Sequence, residues 1–363
     1  MRSIRILIVG LLLLGSMTGS RASVQVMVDA PANVRRDEVR FTSGEVTIAG
    51  TLTLPPGQGR WPAVVMVGAV ASPRKSPLFS PLAAHLAGQG IAVLCYDSRG
   101  AGDSTGQPFE ATIEELARDV SAAMAFLRQR ADIRPRDIGL CSHSQGAWTA
   151  QLAAAAEGAA FLVMLAGPSV PMEQVDLSQI EALGRAEGLS PAEIRESLDL
   201  QRKWLDAVRR QAPAAEQEPI LRRQIELRFA GLSAEIRAAY RAQLDDAVAA
   251  ELDKSNGPWF QHLVQFDPAP VLARLTCPVL AVYGDLDHNV VEKVNKPALL
   301  SATHDGTRPP VTIHTFTGAS HYFLPAETGT RTEMFMAVRA GADFVSGFLD
   351  YITGWIQGVT AGR

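Results

Sequence analysis

Short, almost continuously apolar runs recur along this chain, and segments with helical spacing separate them. The clearest runs are residues 62–68, 91–96 and 160–165. An apolar run of this length predicts a strand that other elements cover on both faces. Between residues 112 and 128 apolar residues instead recur every three or four positions, which predicts an amphipathic helix. Strands that alternate with such helices predict an α/β protein with a mainly parallel central sheet and flanking helices.

The same patterns extend the predicted sheet towards both ends of the chain. Residues 39–54 form two extended, alternating segments with a serine–glycine turn at 43–44. A closing helix is expected over residues 338–356, with its phenylalanines facing the core. The remaining predicted elements are strands at 137–141, 277–284 and 311–316 and helices at 81–87 and 147–156.

The alternation of strands and helices stops after Pro168. Residues 176–254 contain no convincing strand pattern and have helical spacing throughout. Ser190 and Glu193 form a capping-box signature with proline at the first helical position. Apolar residues recur every four positions from 236 to 252, which is typical of an amphipathic helix. A helical insertion therefore interrupts the predicted sheet.

The length of the chain fits one interrupted domain. At roughly 100–200 residues per domain, a chain of 363 residues suggests two domains or one large α/β domain with an insertion. We expect an α/β core made of residues 23–169 and 259–363. Residues 170–258 are expected to form an all-helical cap, or lid, on that core.

The composition excludes several classes of protein. Apolar residues make up 47% of the chain and charged residues 20%, which is typical of a globular protein and not of a disordered one. The net charge of −4 gives no general attraction to phosphate backbones, so no nucleic-acid partner is expected. Three cysteines are too few for a disulfide scaffold, and each lies in an apolar run that predicts a buried thiol. The sequence contains no HExxH, paired CxxC or P-loop motif, so it indicates no metal and no other cofactor.

The first 22 residues have the layout of a secretory signal peptide. Arg2 and Arg5 precede an apolar run at residues 6–14, and small residues follow as far as Ala22. The run is well short of the roughly 20 residues that span a bilayer. We expect cleavage near Ala22 and export to a periplasm or out of the cell, without stable membrane insertion. An uncleaved anchor or a buried core segment is the alternative.

A pentapeptide between a predicted strand and a predicted helix contains the candidate nucleophile. The sequence Ser142-His143-Ser144-Gln145-Gly146 follows the strand that ends at Cys141. A sharp turn at this point needs small residues two positions before and after Ser144, and it presents the Ser144 hydroxyl above the sheet. The backbone N–H of Gln145 then points to where a negative oxygen would develop, as in an oxyanion hole. The structural alternative is that Ser144 only caps the helix.

An alcohol needs a base before it can act as a nucleophile, and His321 is the preferred candidate. His321 lies just past the last strand, so we expect it at the same edge of the sheet as Ser144. His288 is the second choice because it lies beside a candidate acid. The ring of His143 is expected to point away from Ser144, its neighbour in sequence. The other histidines, which lack this placement at the end of a strand, are His85, His262, His304 and His314.

A carboxylate that orients the histidine should follow a strand between Ser144 and His321. Asp287 fits best because it lies three residues beyond Gly284, at the end of a predicted strand, and has room to turn towards the histidine. Asp285 is the competitor, and both aspartates could simply form a turn. The chain order serine, aspartate, histidine is that of α/β-hydrolases.

The chain resembles a bacterial α/β-hydrolase of the serine esterase type. The resemblance covers most of the chain outside the signal and the insertion. It implies the α/β-hydrolase fold, with Ser144 as nucleophile, Asp287 as acid and His321 as base. The matching segments are GTLTLP (50–55), PAVVMV (62–67), IAVLCYDSRGAGDSTG (91–106), IGLCSHSQG (138–146), the strand at 160–165 with AGP after it, FDPAPVLARLTCPVLAVYGDLD (266–287) and GASHYF (318–323).

The resemblance also implies a second oxyanion donor, a backbone N–H just after the strand that ends at Val67. This donor falls on Val70, with Ala69 as the alternative. Two departures from the family pattern are present. Ser142 replaces the usual first glycine of the pentapeptide, and residues 68–71 lack the usual histidine–glycine pair or glycine-rich turn. Because a glycine there often supplies a positive φ, Ala69 could take its place only at a conformational cost.

Together these residues predict a hydrolase that cleaves carboxylic esters with short to medium acyl chains through an acyl-Ser144 intermediate. The expected partner is a small-molecule ester, and the cap is expected to emerge at the catalytic edge and cover the site. The same three residues could instead serve an amidase, a peptidase or a thioesterase. A different kind of alternative is a non-catalytic binding protein on a hydrolase scaffold.

Overall fold

A computed structural model of the chain describes residues 34–228, 243–303 and 311–361. Its strands are β1 (Arg35–Ser43), β2 (Val46–Leu54), β3 (Trp61–Val67), β4 (Ala92–Tyr96), β5 (Ile133–His143), β6 (Leu162–Leu165), β7 (Val279–Gly284) and β8 (Val311–Phe316). They form an eight-stranded sheet in the order β1-β2-β4-β3-β5-β6-β7-β8. Strand β2 runs antiparallel to β1 and to β4, and every other neighbouring pair is parallel. The predicted mainly parallel sheet is therefore confirmed.

Helices follow the strands along the chain. They are α1 (Phe79–Gly88), α2 (Ile113–Arg128), α3 (Gly146–Glu157), α4 (Met172–Ala186), α5 (Pro191–Arg209), α6 (Ala214–Arg228), α7 (Leu244–Asn256), α8 (Pro258–Leu263), α9 (Ala269–Leu272), α10 (Glu292–Thr303), α11 (Arg331–Ala340) and α12 (Phe348–Thr360). None of these described helices combines the length and the apolar character that crossing a membrane requires.

The central strands are buried on both faces, as their continuous apolar runs predict. Successive side chains of a strand point to opposite faces of the sheet. In β3, Val64 and Met66 pack in one hydrophobic core together with α1 and α12. Val65 and Val67 pack in the other core, together with α2 and α3. The two layers of helices therefore cover both faces of the sheet. Functional residues are then expected in the loops at the ends of its strands.

Cysteine burial follows from the same arrangement. Cys95, Cys141 and Cys277 are all buried, which confirms the prediction of buried thiols. Burial also raises the pKa of the Cys95 thiol to about 12, and it raises the pKa of Cys141 still further above its usual value.

The end of the chain differs from its prediction. The single helix expected over residues 338–356 is wrong, because the structure has two helices, α11 and α12, on either side of residues 341–347. Gly341 has a φ of 65° and Gly347 a φ of 79°. Left-handed glycines of this kind end and begin helices, and they override apolar spacing that continues through the break. Phe344 lies in the break and packs on Phe348, with ring centroids 4.9 Å apart.

The insertion after β6 is helical wherever it is described. Helices α4 to α7 occupy residues 170–258, α8 begins at the last of them, and the described residues of this segment contain no strand. Ser190 and Glu193 form the predicted capping box at the start of α5. Residues 229–242 lie outside the described residues, so the helix predicted over 236–252 is seen only from Leu244 onwards. The predicted signal peptide, residues 1–22, also lies outside them.

Candidate active site

Ser144 lies in the tight connection between β5 and α3 and has a φ of 54°. A residue with a Cβ rarely adopts this left-handed conformation, and such strain tends to occur at functional sites. Gly146 allows the connection, because a Cβ at that position would lie only 2.4 Å from the carbonyl oxygen of Val67. Ser142 replaces the usual glycine without a clash, since its buried hydroxyl donates to the carbonyl oxygen of Val163 at 3.1 Å. The predicted strand–turn–helix geometry is present.

Three side chains that are far apart in the sequence meet at this edge of the sheet. The Nε2 atom of His321 lies 3.0 Å from the Ser144 hydroxyl. The Nδ1 atom of the same ring lies 2.9 Å from Oδ2 of Asp287. The loops after β5, β7 and β8 supply these residues, and the carboxyl ends of parallel strands meet at one edge. A hydroxyl, an imidazole and a carboxylate in this series can move a proton away from the hydroxyl.

The carboxylate of Asp287 is fully engaged in hydrogen bonds. Its second oxygen, Oδ1, accepts the backbone N–H groups of Asn289 at 2.8 Å and Val290 at 3.0 Å. The Asp287 side chain is 0% exposed, so these bonds replace the water that a carboxylate would otherwise bind. The loop therefore holds Asp287 in one orientation towards His321.

The competing residues have other contacts. Oδ1 of Asp285 accepts the backbone N–H of Gly318 at 2.7 Å, which ties its loop to the loop that contains His321. The ring of His288 contacts the carbonyl oxygen of Thr328 at 3.0 Å. The structure thus places Asp287 and His321, and neither Asp285 nor His288, in the series that reaches Ser144.

His143 has a contact that sequence reasoning missed. Its ring forms no hydrogen bond with Ser144, but its Nε2 lies 3.0 Å from the backbone carbonyl oxygen of His321. The centroids of the two histidine rings are 4.7 Å apart. Burial, reinforced by the neighbouring His321 ring, lowers the pKa of His143 to about 3. A neutral ring must use Nε2–H as the donor here, because a carbonyl only accepts. In the sequence, the position of His143 directly before Ser144 is the signal that could have indicated a contact at this site.

The two residues predicted to donate to an oxyanion contact each other. The backbone N–H of Val70 donates to the side-chain oxygen Oε1 of Gln145 at 3.0 Å. The positive φ expected in this loop falls on Ala71, at 58°, and not on Ala69. Among the described residues the backbone N–H groups of Ala69 and Gln145 find no acceptor. No described group therefore competes for these two N–H groups.

The inserted helices contact the Asp287 loop and helix α11. Gln179 of α4 donates to the side-chain oxygen of Asn289, in the Asp287 loop, at 3.0 Å. Glu187, at the end of α4, pairs with Arg331 of α11 at 3.0 Å. Just beyond the insertion, the backbone N–H of Trp259 in α8 donates to the carbonyl oxygen of Phe109, in the loop after β4, at 3.1 Å. The described residues contain no group of histidine, cysteine, aspartate and glutamate side chains that could hold a metal ion.

Known sequences resemble this chain along most of its length. A sequence model of the alpha/beta hydrolase family matches residues 15–332. Esterase EstD of Thermotoga maritima is 27% identical over 272 residues, which are 71% of this chain and 55% of the esterase. An uncharacterized protein of Mycobacterium tuberculosis is 33% identical over 112 residues, 31% of this chain and 38% of that protein. The chain thus spans about half, or less, of the length of these curated relatives.

Solved structures resemble the fold. A hypothetical protein of Pseudomonas aeruginosa superposes with a TM-score of 0.56 at 17% identity, over 94% of this chain and 99% of that chain. An esterase of Pyrococcus furiosus superposes with a TM-score of 0.53 at 13% identity, over 94% of each chain. At these identities the likeness concerns the fold alone.

Proposed function

Since the chain belongs to the alpha/beta hydrolase family, we propose that it is a serine hydrolase that cleaves carboxylic esters with short to medium acyl chains. The observation that carries the proposal is the hydrogen-bonded series from Asp287 through His321 to Ser144, with distances of 2.9 and 3.0 Å. The strained conformation of Ser144 supports its role as nucleophile.

Acylation is the first half of the reaction. The Ser144 hydroxyl oxygen attacks the ester carbonyl carbon while Nε2 of His321 takes its proton. Asp287 accepts from Nδ1–H of the ring and stabilises the imidazolium that forms. His321 then returns the proton to the alkoxy oxygen as the carbon–oxygen bond of the ester breaks. An alcohol leaves, and the acyl group remains on Ser144.

Deacylation repeats these steps with water. His321 takes a proton from a water molecule, whose oxygen attacks the acyl carbonyl carbon. The bond to the Ser144 oxygen breaks, that oxygen regains a proton from His321, and a carboxylic acid leaves. No step needs a cofactor.

The negative oxygen that forms in both halves needs fixed donors. The N–H of Gln145, at the N-terminus of α3, is the first donor. The loop after β3 supplies the second, from Ala69, whose N–H is free among the described residues, or from Val70 once its N–H leaves Gln145. One such donor typically contributes about 3 kcal/mol to the transition state.

The helices of residues 170–258 act as the cap of this site. The hydrogen bond of Gln179 with the Asp287 loop and the ion pair of Glu187 with Arg331 support this role. A cap narrows access and excludes water, which favours small and medium substrates over polymers. The basic and then apolar start of the sequence supports export after cleavage near Ala22.

The same machinery could cleave amides or thioesters. The name of the Thermotoga maritima relative, an esterase, favours esters. Matched ester, thioester and amide substrates with one acyl group would rank the three.

The test of the proposal is a substitution of the nucleophile. Ser144→Ala should lower the rate of p-nitrophenyl ester hydrolysis by at least about 1,000-fold, because it removes the attacking oxygen. A fluorophosphonate probe should label the wild type at Ser144, as mapped by mass spectrometry, and leave the variant unlabelled. Ser121→Ala, on α2, is the matched control and should keep full activity. Undiminished hydrolysis by Ser144→Ala would refute the proposal.

A further inference from the structure

We propose that the side chain of Gln145 is a positioning residue for the oxyanion loop, which is the segment Gly68–Ser72. Its amide oxygen accepts the N–H of Val70 at 3.0 Å, across the gap between α3 and the end of β3. The inference rests on the proposed function, since it concerns how the same site is prepared to bind a negative oxygen.

The loop needs such support because of its sequence. Ala71 has a φ of 58°, in the left-handed region that disfavours any residue with a Cβ. The loop contains no glycine after Gly68 that could adopt this conformation freely. A strained loop relaxes to another conformation unless surrounding contacts fix it.

The peptide group between Ala69 and Val70 is held at both of its ends. Its carbonyl oxygen accepts the Ser98 hydroxyl at 3.2 Å and the backbone N–H of Ser72 at 3.2 Å. Its N–H is the one that Gln145 accepts. Ser98 also donates its own N–H to the carbonyl oxygen of Ser72 at 2.9 Å. Because a peptide group is planar, contacts at both ends fix its orientation.

This arrangement separates two roles within the loop. An N–H has one proton, and that of Val70 is engaged by Gln145. The loop's contribution to the oxyanion therefore falls on the free N–H of Ala69, one residue earlier. Its direction depends on the orientation of the peptide group that follows it, which Gln145 and Ser98 hold.

Gln145 thereby links the two oxyanion donors. Its backbone N–H is one donor, and its side chain holds the loop that offers the other. The backbones are also in close contact at this point, because a Cβ on Gly146 would lie 2.5 Å from the carbonyl oxygen of Gly68. The distance between the two donors is set by this contact and by one side-chain hydrogen bond.

The first variant removes the acceptor and keeps the length of the side chain. Gln145→Met leaves the backbone N–H of residue 145 in place, so a loss of activity reports on the loop. We expect kcat for a p-nitrophenyl ester to fall about 10- to 100-fold, the effect of a donor misplaced by about 1 Å, with KM changed less than about 2-fold. Binding of a trifluoromethyl ketone, which forms an oxyanion on Ser144, should weaken in parallel with kcat.

The second variant acts on the other end of the same peptide group. Ser98→Ala removes the hydroxyl that donates to the carbonyl oxygen of Ala69, and kcat should fall. Ser98→Thr keeps a hydroxyl at this position and should restore activity. Because both variants release one peptide group, the loss in the double variant should be well below the product of the single losses. If Gln145→Met does not fold, the loss in Ser98→Ala and its recovery in Ser98→Thr still test the inference. Equal Tm values for wild type and variants would separate a loss of positioning from a loss of fold.

Opposite results would overturn the inference. If kcat of Gln145→Met equals or exceeds that of the wild type, the Gln145 side chain does not position the loop. It then either has no effect on the reaction or leaves the Val70 N–H when substrate binds. Independent losses at residues 145 and 98 would likewise exclude a shared peptide group. Fluorophosphonate labelling of Ser144 in the wild type keeps the two proposals apart. If the wild type is labelled and Gln145→Met is unimpaired, the inference fails alone, whereas an unlabelled and inactive wild type removes the proposed function itself.

Discussion

The loops of the candidate active site and the inserted helices hold their polar groups in different ways. In the loop after β7, the carboxylate of Asp287 accepts hydrogen bonds from the N–H of one imidazole and from two backbone N–H groups. In the inserted helices, the carboxylate of Asp176 accepts a hydrogen bond from the side-chain amide of Gln201. The side-chain oxygen of Gln201 in turn accepts one from the side-chain amide of Gln224. The side-chain oxygen Oε1 of Gln224 is buried and forms no hydrogen bond with any described residue. The carboxylate of Asp287 has a partner on each oxygen, whereas the network in the inserted helices ends in an open acceptor.

This difference shows which region is built for a fixed geometry. Fully paired groups keep one arrangement, as the proposed proton transfer over about 3 Å requires. A network with an unpaired member carries a free-energy cost and can accept a further donor, such as water or a substrate group. We therefore expect substitutions in the loops to reduce kcat, and substitutions in the inserted helices to change stability or KM.

The largest expected effect is in the fully paired loop. Asp287→Asn should lower kcat about 10⁴-fold, because an amide no longer holds the ring of His321 with its proton on Nδ1. The fold should survive, since the side chain keeps its size. Steady-state kinetics and Tm measure both effects.

Asp285→Asn is the matched control, two residues away in the same loop. It weakens one hydrogen bond to Gly318 and should cost less than about 10-fold in kcat. An equal loss in the two variants would contradict the assignment of Asp287.

A smaller effect is expected at His143. His143→Phe keeps a ring but removes the hydrogen bond to the carbonyl oxygen of His321, and kcat should fall about 10-fold. Because the pKa of His143 is lowered to about 3, its ring is neutral at every pH above about 4. The acid limb of the profile of kcat/KM against pH should therefore keep its midpoint, since the variant removes no charge. A shifted midpoint would show that the ring carries charge in the working range.

The sequence could predict the series of Ser144, Asp287 and His321 because local patterns mark each position. A strand followed by small residues indicates the turn at Ser144, and strand ends place the other two residues at the same edge. The contact of His143 with the backbone carbonyl of His321 could not be predicted, since it depends on how two residues 178 positions apart in the sequence pack together. The hydrogen bond between Val70 and Gln145 depends in the same way on how two elements approach. The break at Gly341 and Gly347 was missed because glycine is compatible with many conformations.

In the inserted helices, the expected effect of a substitution is on the pH dependence of stability and not on kcat. Burial raises the pKa of Asp176 to about 7, above the ordinary value that it regains in the unfolded chain. The folded state therefore binds the proton more tightly, and stability falls as pH rises from about 4 to about 7. Asp176→Asn removes this loss and should raise Tm at pH 8 by about 2–4 °C, with kcat within 2-fold of the wild type. Thermal unfolding of the wild type and the variant at pH 4.5 and pH 8 measures this shift. A shift in Tm of the same size at the two pH values would contradict the prediction.

The smallest expected effect is at the contact between the two regions. Gln179→Leu removes the hydrogen bond from α4 to Asn289, which lies two residues beyond Asp287. Because the backbone N–H groups of Asn289 and Val290 still hold Asp287, kcat should stay within 2-fold. KM should rise about 3-fold, the effect of one modest hydrogen bond that fixes the helix near the site. Ser178→Ala, whose hydroxyl bonds only within α4, is the control, and an ester chain-length series gives both constants. A 10-fold loss of kcat in Gln179→Leu would mean that the inserted helices set the geometry of the acid, and the two regions would then act as one.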